Sequence, residues 1–119
     1  MYNRLMNISD LQKKVIEFRD KRDWKQFHNP KDLALSLVLE ASEVMEHFQW
    51  KNSDEMEKHL IDKKDEIAEE LADVLYWVLL MGNDFDIDVL EALRKKMVKS
   101  ESKYPVEKAK GNHTKYTEL

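Results

Sequence analysis

Residues 33–50 read LALSLVLEASEVMEHFQW, an apolar run into which Glu40 and Glu43 are set. With no Gly or Pro inside it, the run reads as a helix, and from Leu33 through Met45 these two acids are the only charges. A carboxylate among Leu37, Val38, Leu39, Ala41, Val44 and Met45 loses hydration if that face is buried, and a cation or a set of donors must compensate. Three residues apart on a helix, both acids reach one ion. A second segment, Ile67 to Met81, repeats the arrangement: Glu70 and Asp73 share the same spacing, and Asp73 is the only charge from Leu71 through Leu80. Four acids on two helices then converge.

Asn29-Pro30 marks the start of the first of these helices, Asn suiting the N-cap and Pro the first turn. The helix is expected to reach Trp50, burying Leu33, Leu37, Val38, Ala41, Val44, Met45 and Phe48. Ser36, Glu40, Glu43, His47 and Trp50 then form the adjoining polar stripe, which puts Trp50 on the carboxylate face. Before it, a helix from Ser9 to Lys21, capped by Ser9 with Gln12, packs Ile8, Leu11, Val15 and Phe18 and exposes its charged face. After it, Ser53 caps a short, peripheral helix through His59. A fourth helix, Asp62 to Met81, stops at Gly82-Asn83, and a fifth, Ile87 to Ser100, is capped by Asp86 and packs Val89, Leu90, Leu93 and Met97. The fourth is apolar on more than one face beyond Leu71, which places it near an interface between copies of the chain.

Few Gly and Pro and abundant Leu, Glu, Lys and Met point to an all-α chain, an antiparallel bundle of four to five helices. A length of 119 residues implies one domain, 1–119, with 104–119 an extended tail. The absence of cysteine excludes disulfides and thiolate metal sites, leaving oxygen or histidine to bind an ion and favouring Mg²⁺ or Mn²⁺. Neither a secretion-type leader nor a membrane-length apolar run is present, so a cytoplasmic location without membrane association is expected. Residues 1–93 hold 12 bases against 21 acids and residues 94–119 hold 8 against 3. A body of that sign does not wrap nucleic acid, whereas a small phosphorylated ligand needs less basic surface.

Two acid pairs able to hold hard cations suit phosphoryl transfer: the ions bind phosphate oxygens, activate water and neutralise developing charge. Di-iron bundles pair Glu with His three residues on, a spacing neither segment has. The loop Arg22 to Pro30 leaves two readings open. Trp24 and Phe27 either close the end of the core or stack on a flat ligand, and His28 caps a helix, meets solvent or binds a phosphate or base.

The combination of Arg22-Asp23-Trp24-x-Gln26-Phe27-His28-x-Pro30, Leu39-Glu40-x-x-Glu43-Val44, Phe48-Gln49-Trp50-Lys51 and Glu69-Glu70-Leu71-x-Asp73-Val74-Leu75 resembles the MazG-like all-α nucleotide pyrophosphohydrolases. The dCTP pyrophosphatase branch is the nearest, with Lys103-Tyr104-Pro105-Val106 and Lys115-Tyr116-Thr117-Glu118-Leu119 similar as well. The resemblance implies Mg²⁺ ligands at Glu40, Glu43, Glu70 and Asp73, which carry catalysis, and a nucleotide pocket using Trp24, His28 and Trp50. Trp77 stands where that branch has a Tyr, and Val15 where it has a nucleotide-contacting His. It further implies a homotetramer, a dimer of dimers, that hydrolyses dCTP-like or non-standard deoxynucleoside triphosphates to monophosphate and pyrophosphate, clearing them ahead of a polymerase. The alternative is a non-catalytic helical interaction module whose acids pair with a partner's bases.

Overall fold

A computed structural model describes residues 1–119, which form six α-helices and no strand. The chain divides into two compact units, 1–87 and 88–119. The first contains α1 (Ile8–Asp20), α2 (Pro30–Glu46), α3 (Ser53–Asp62) and α4 (Lys64–Asp84), with a 3₁₀ turn at Lys25–Phe27. The second contains α5 (Val89–Lys103), α6 (Val106–Ala109) and a 3₁₀ turn at Tyr116–Glu118.

Helix α4 is the axis of the first unit, and α2, α1 and α3 all pack on it. Leu33 of α2 and Ile67, Leu79 and Leu80 of α4 are the buried apolar residues. The expected stripe of α2 is narrower than its sequence suggests, because Val38, Ala41 and Met45 are exposed. On α4, Leu71 and Leu75 are also exposed. One chain leaves these residues uncovered.

Helix α1 is held to α4 by polar contacts as well. Gln12 does not complete a capping box; its Nε2 donates to the Leu79 carbonyl at 2.9 Å. Arg19, expected on a solvated face, is fully buried, with Nη1 2.6 Å from Oδ2 of Asp84 and Nε 3.0 Å from Oδ1 of Asp20. Burial alone would lower Arg19's pKa and raise Asp84's, but their hydrogen bonds and opposite charges outweigh it, leaving Arg19 raised and Asp84 lowered.

The helix ends correct several expectations. Asn7 and Asn52, not Ser9 and Ser53, are the N-caps of α1 and α3, each in a capping box with the acid three residues on, Asp10 or Glu55. Helix α3 runs on to Asp62 and packs against α4, so it is not peripheral. Helix α4 passes through Gly82, which is buried inside it, and the Arg19 pair holds Asp84 in the last turn.

In the second unit, Asp88 caps α5 by accepting from the Glu91 amide at 3.0 Å, while Asp86 takes a left-handed conformation, φ 55°. Leu93 and Met97 are exposed, against the expectation that they face a core. The stretch 104–119 is ordered by Pro105 at the start of α6 and by Tyr104 and Tyr116, packed edge to face 5.9 Å apart. Lys103 lies 4.5 Å from the Tyr116 ring centre.

Candidate active site

Helix α2 presents Glu40 and Glu43 three residues apart, and α4, packed against it, presents Asp73. One carboxylate oxygen from each lies within 4.8 Å of the others. Glu40 is half-buried, and its Oε2 is shut off from solvent with no hydrogen-bond partner. Burial raises the Glu40 pKa, the Glu43 carboxyl and the Asp73 charge raise it further, and the neighbouring Trp77 indole works the other way. Three carboxylates crowded this closely repel one another, and a divalent cation relieves that repulsion while giving the orphaned oxygen a partner. The donor set, all oxygen, fits Mg²⁺ or Mn²⁺.

Glu70 does not join the three. It sits one turn before Asp73 on α4, and its Oε2 lies in close contact with Nε2 of His47. The other nitrogen of His47, Nδ1, is 2.7 Å from Nε2 of His59 on α3. Burial lowers the His59 pKa, as do the charges of Lys51, His47 and Lys63, with Glu66 opposing them.

Glu40 and Asp73 also line a cleft of about 490 Å³ whose walls include Phe18, Trp24, Tyr76 and Trp77. Phe18 packs edge to face on Trp24 at 5.7 Å and on Tyr76 at 6.4 Å, and Tyr76 on Trp77 at 5.2 Å. Lys14 supplies a cationic group to the lining. Arg22 stacks 3.8 Å from the Phe18 ring centre, adding a second cation near the aromatic wall. The result is a flat, apolar slot with carboxylates in its lining, the shape and chemistry that take a planar base and place a phosphate chain beside metal ions.

The expected substrate residues separate into three groups. Trp24 and Trp77 line the cleft. His28 packs edge to face on Trp77 at 5.5 Å but faces a different cavity, about 260 Å³, beside Asp84; burial and the Arg19 charge lower its pKa, with Asp84 opposing. Trp50 is not on the carboxylate face. Helix α2 ends at Glu46, and three-residue turns carry the chain to Trp50, which adopts φ 67° and is 92% exposed. Phe18 and Tyr76 were assigned no site role from sequence, although the three-residue spacing of Asp73 and Tyr76, nearly one turn, gives them adjoining faces of α4.

On a helical scaffold, this pairing of a hard-cation site with an aromatic slot has the chemistry of a metal-assisted nucleotide hydrolase. The chain belongs to the MazG-like family, whose model matches residues 35–119. It is 37% identical over 114 residues to mouse dCTP pyrophosphatase 1, a match covering 94% of this chain and 67% of the relative, and 36% identical to the human enzyme over the same proportions. A pyrophosphatase from Archaeoglobus fulgidus superposes with a TM-score of 0.79 at 40% identity, covering 88% of this chain and 98% of that one. With these relatives the chain is an enzyme of the nucleotide pyrophosphohydrolase type.

Proposed function

We propose that the chain hydrolyses deoxynucleoside triphosphates, dCTP-like or non-standard, to monophosphate and pyrophosphate with Mg²⁺ as the cofactor and Mn²⁺ as a substitute. The observation that carries this reading is the convergence of Glu40, Glu43 and Asp73 within 4.8 Å, with a buried, partnerless Glu40 oxygen, where Glu40 and Asp73 line an aromatic cleft. Glu40, Glu43 and Asp73 hold the ion, and Glu70, on the adjacent turn, completes the ligand set. Bound there, the metal supplies charge neutralisation at the phosphate and a more acidic water. Trp24, Tyr76 and Trp77 enclose the base, Lys14 offers charge to the phosphates, and His28 steadies the Trp77 ring from behind. Trp50, exposed at its turn, is available to close over the nucleotide.

The working form proposed is a homotetramer in the cytoplasm. Leu35, Val38 and Leu39 on α2 and Leu71 and Leu75 on α4 are exposed, an apolar surface that supports association of copies. No helix is long and apolar enough to cross a membrane. A panel of natural and modified nucleoside triphosphates, assayed for pyrophosphate release with Mg²⁺ and with chelator, tests the function. Release of pyrophosphate that stops with chelator is expected. Release of orthophosphate, or turnover indifferent to chelator, would refute the proposal, and light scattering at a monomer mass would refute the assembly.

A further inference from the structure

Where α1 gives way to the loop that carries Trp24, the chain turns on a residue that is not glycine. Asp23 adopts a left-handed conformation, φ 56°. Its amide donates to the Asp20 carbonyl at 3.0 Å, and the next amide, that of Trp24, donates to the Arg19 carbonyl at 3.3 Å. Two such bonds around one left-handed residue make a Schellman stop, in which the residue that follows packs back on the last turn of the helix. Trp24 does so, its ring edge to face on Phe18 at 5.7 Å. The stop thus sets Trp24 against Phe18 in the wall of the aromatic cleft.

Glycine takes the left-handed position without steric cost and is the usual residue there, whereas an aspartate is held in it against its preference. What the side chain adds is a clamp. Nε2 of Gln26 donates to the Asp23 carbonyl at 2.9 Å and to Asp23 Oδ2 at 3.0 Å, bracketing Trp24 from the other side. Gln26 belongs to the 3₁₀ turn Lys25–Phe27, in which the Phe27 amide donates to the Trp24 carbonyl at 3.0 Å. Trp24 itself is 42% exposed, so burial alone does not fix the direction of its ring.

The geometry points to Asp23 as the positioning residue of the base slot: left-handed at the end of α1 and clamped by Gln26, it holds Trp24 in the cleft wall before a nucleotide arrives. The inference rests on the nucleotide-site reading above. With the clamp gone, the wall must be ordered at each binding event, and ordering one such side chain weakens binding by about 2–12-fold. Glycine at this position separates two effects that a purely structural cap would lose together, because it suits the left-handed backbone while removing the carboxylate.

The test is binding of a dCTP analogue with an imido bridge between its α- and β-phosphorus, which resists cleavage there, measured on the intact chain by calorimetry with Mg²⁺ alongside thermal melts. Asp23→Gly melts no lower than wild type, yet its dissociation constant rises about 2–12-fold. Asp23→Asn tolerates the same backbone, keeps an oxygen for Gln26 and stays within about twofold of wild type. Gln26→Ala, at an exposed position, keeps the melting temperature and weakens binding by about 2–12-fold. Wild-type affinity in Asp23→Gly would overturn the inference while leaving the nucleotide site intact. A loss of affinity matched by a fall in melting temperature would overturn it as well, since Asp23 would then be a structural cap. So would an Asp23→Asn variant as weak as Asp23→Gly, because the charge rather than the clamp would then be responsible. No binding by wild type would remove the nucleotide site itself, and this inference with it. If Asp23→Gly does not fold, Gln26→Ala decides: weakened binding at an unchanged melting temperature supports the positioning role, and wild-type binding overturns it.

Discussion

The Arg19–Asp84 pair makes the sharpest prediction about stability, because it ties α1 to α4, the helices that supply Phe18, Tyr76 and Trp77 to the cleft. Asp84→Asn keeps the shape of the side chain and removes its charge, stranding a guanidinium that is 0% exposed. Breaking a buried pair by neutralising one partner costs about 3–5 kcal/mol. The lower end applies, since Asn still accepts one hydrogen bond and Arg19 keeps Asp20 at 3.0 Å, a residue whose side chain is 47% exposed. For a chain of this size about 3 kcal/mol corresponds to a melting temperature lower by roughly 10–15 °C.

The pH dependence carries a definite sign. Asp84 has a folded pKa below its unfolded one, so its contribution is complete above the ordinary carboxylate range and is lost as pH falls through the depressed value. The gap between wild type and Asp84→Asn, measured by thermal melts monitored by circular dichroism, is therefore flat from neutral pH down to about pH 5 and narrows below it. Arg19, raised above its ordinary value, stays charged throughout and adds no slope in this window. The double variant Arg19→Met with Asp84→Leu strands no charge and recovers most of the loss. A melting temperature for Asp84→Asn equal to wild type at pH 7, or a double variant no better than the single one, would refute this account.

Glu43→Gln removes a ligand charge at nearly constant volume at an exposed position, so turnover falls to background while mass by light scattering is unchanged; a collapse of the assembly would mean a structural role. Saturating Mg²⁺ stabilises wild type by about 2.7 kcal/mol at a hundredfold excess over the dissociation constant, and chelator reverses it, as differential scanning fluorimetry would show. Trp50→Ala leaves the melting temperature within a degree or two, because an exposed ring buries little area, yet raises KM in steady-state assays. An unchanged KM across nucleotides would remove Trp50 from the site. Phe18→Ala takes away an edge-to-face partner of both Trp24 and Tyr76 and raises KM more than it lowers kcat, with a loss of stability read in the same melts.

The helices and the carboxylate pairs were legible because each rests on local signals. Asn29-Pro30 starts a helix through one cap and one fixed φ, and acids set in apolar runs stand out by desolvation cost alone. The stops were harder to read. Between Pro30 and Asn52 there is neither Gly nor Pro, yet α2 ends at Glu46 and Trp50 turns left-handed, so no residue that prefers a break announces this one. Gly82 misleads in the opposite direction: it looks like a stop, but Asp84, two residues on, is held in the helix by Arg19, 65 positions away. Arg19 itself has no apolar neighbour pattern to reveal burial, since its partner lies on another helix.

The same distinction explains Glu70. Spacing puts it with Asp73 as surely as it puts Glu40 with Glu43, and on that ground alone four acids should meet. The deciding partner is instead His47, which the periodicity of α2 assigned to a polar stripe, and behind it His59, on the short acidic helix α3. A carboxylate's direction is set by its last torsions and by whatever donates to it, neither of which spacing along a helix encodes. Periodicity along this chain therefore determines which acids share a face. Which of their oxygens are presented to an ion depends on contacts between α2, α3 and α4 that only the folded unit contains.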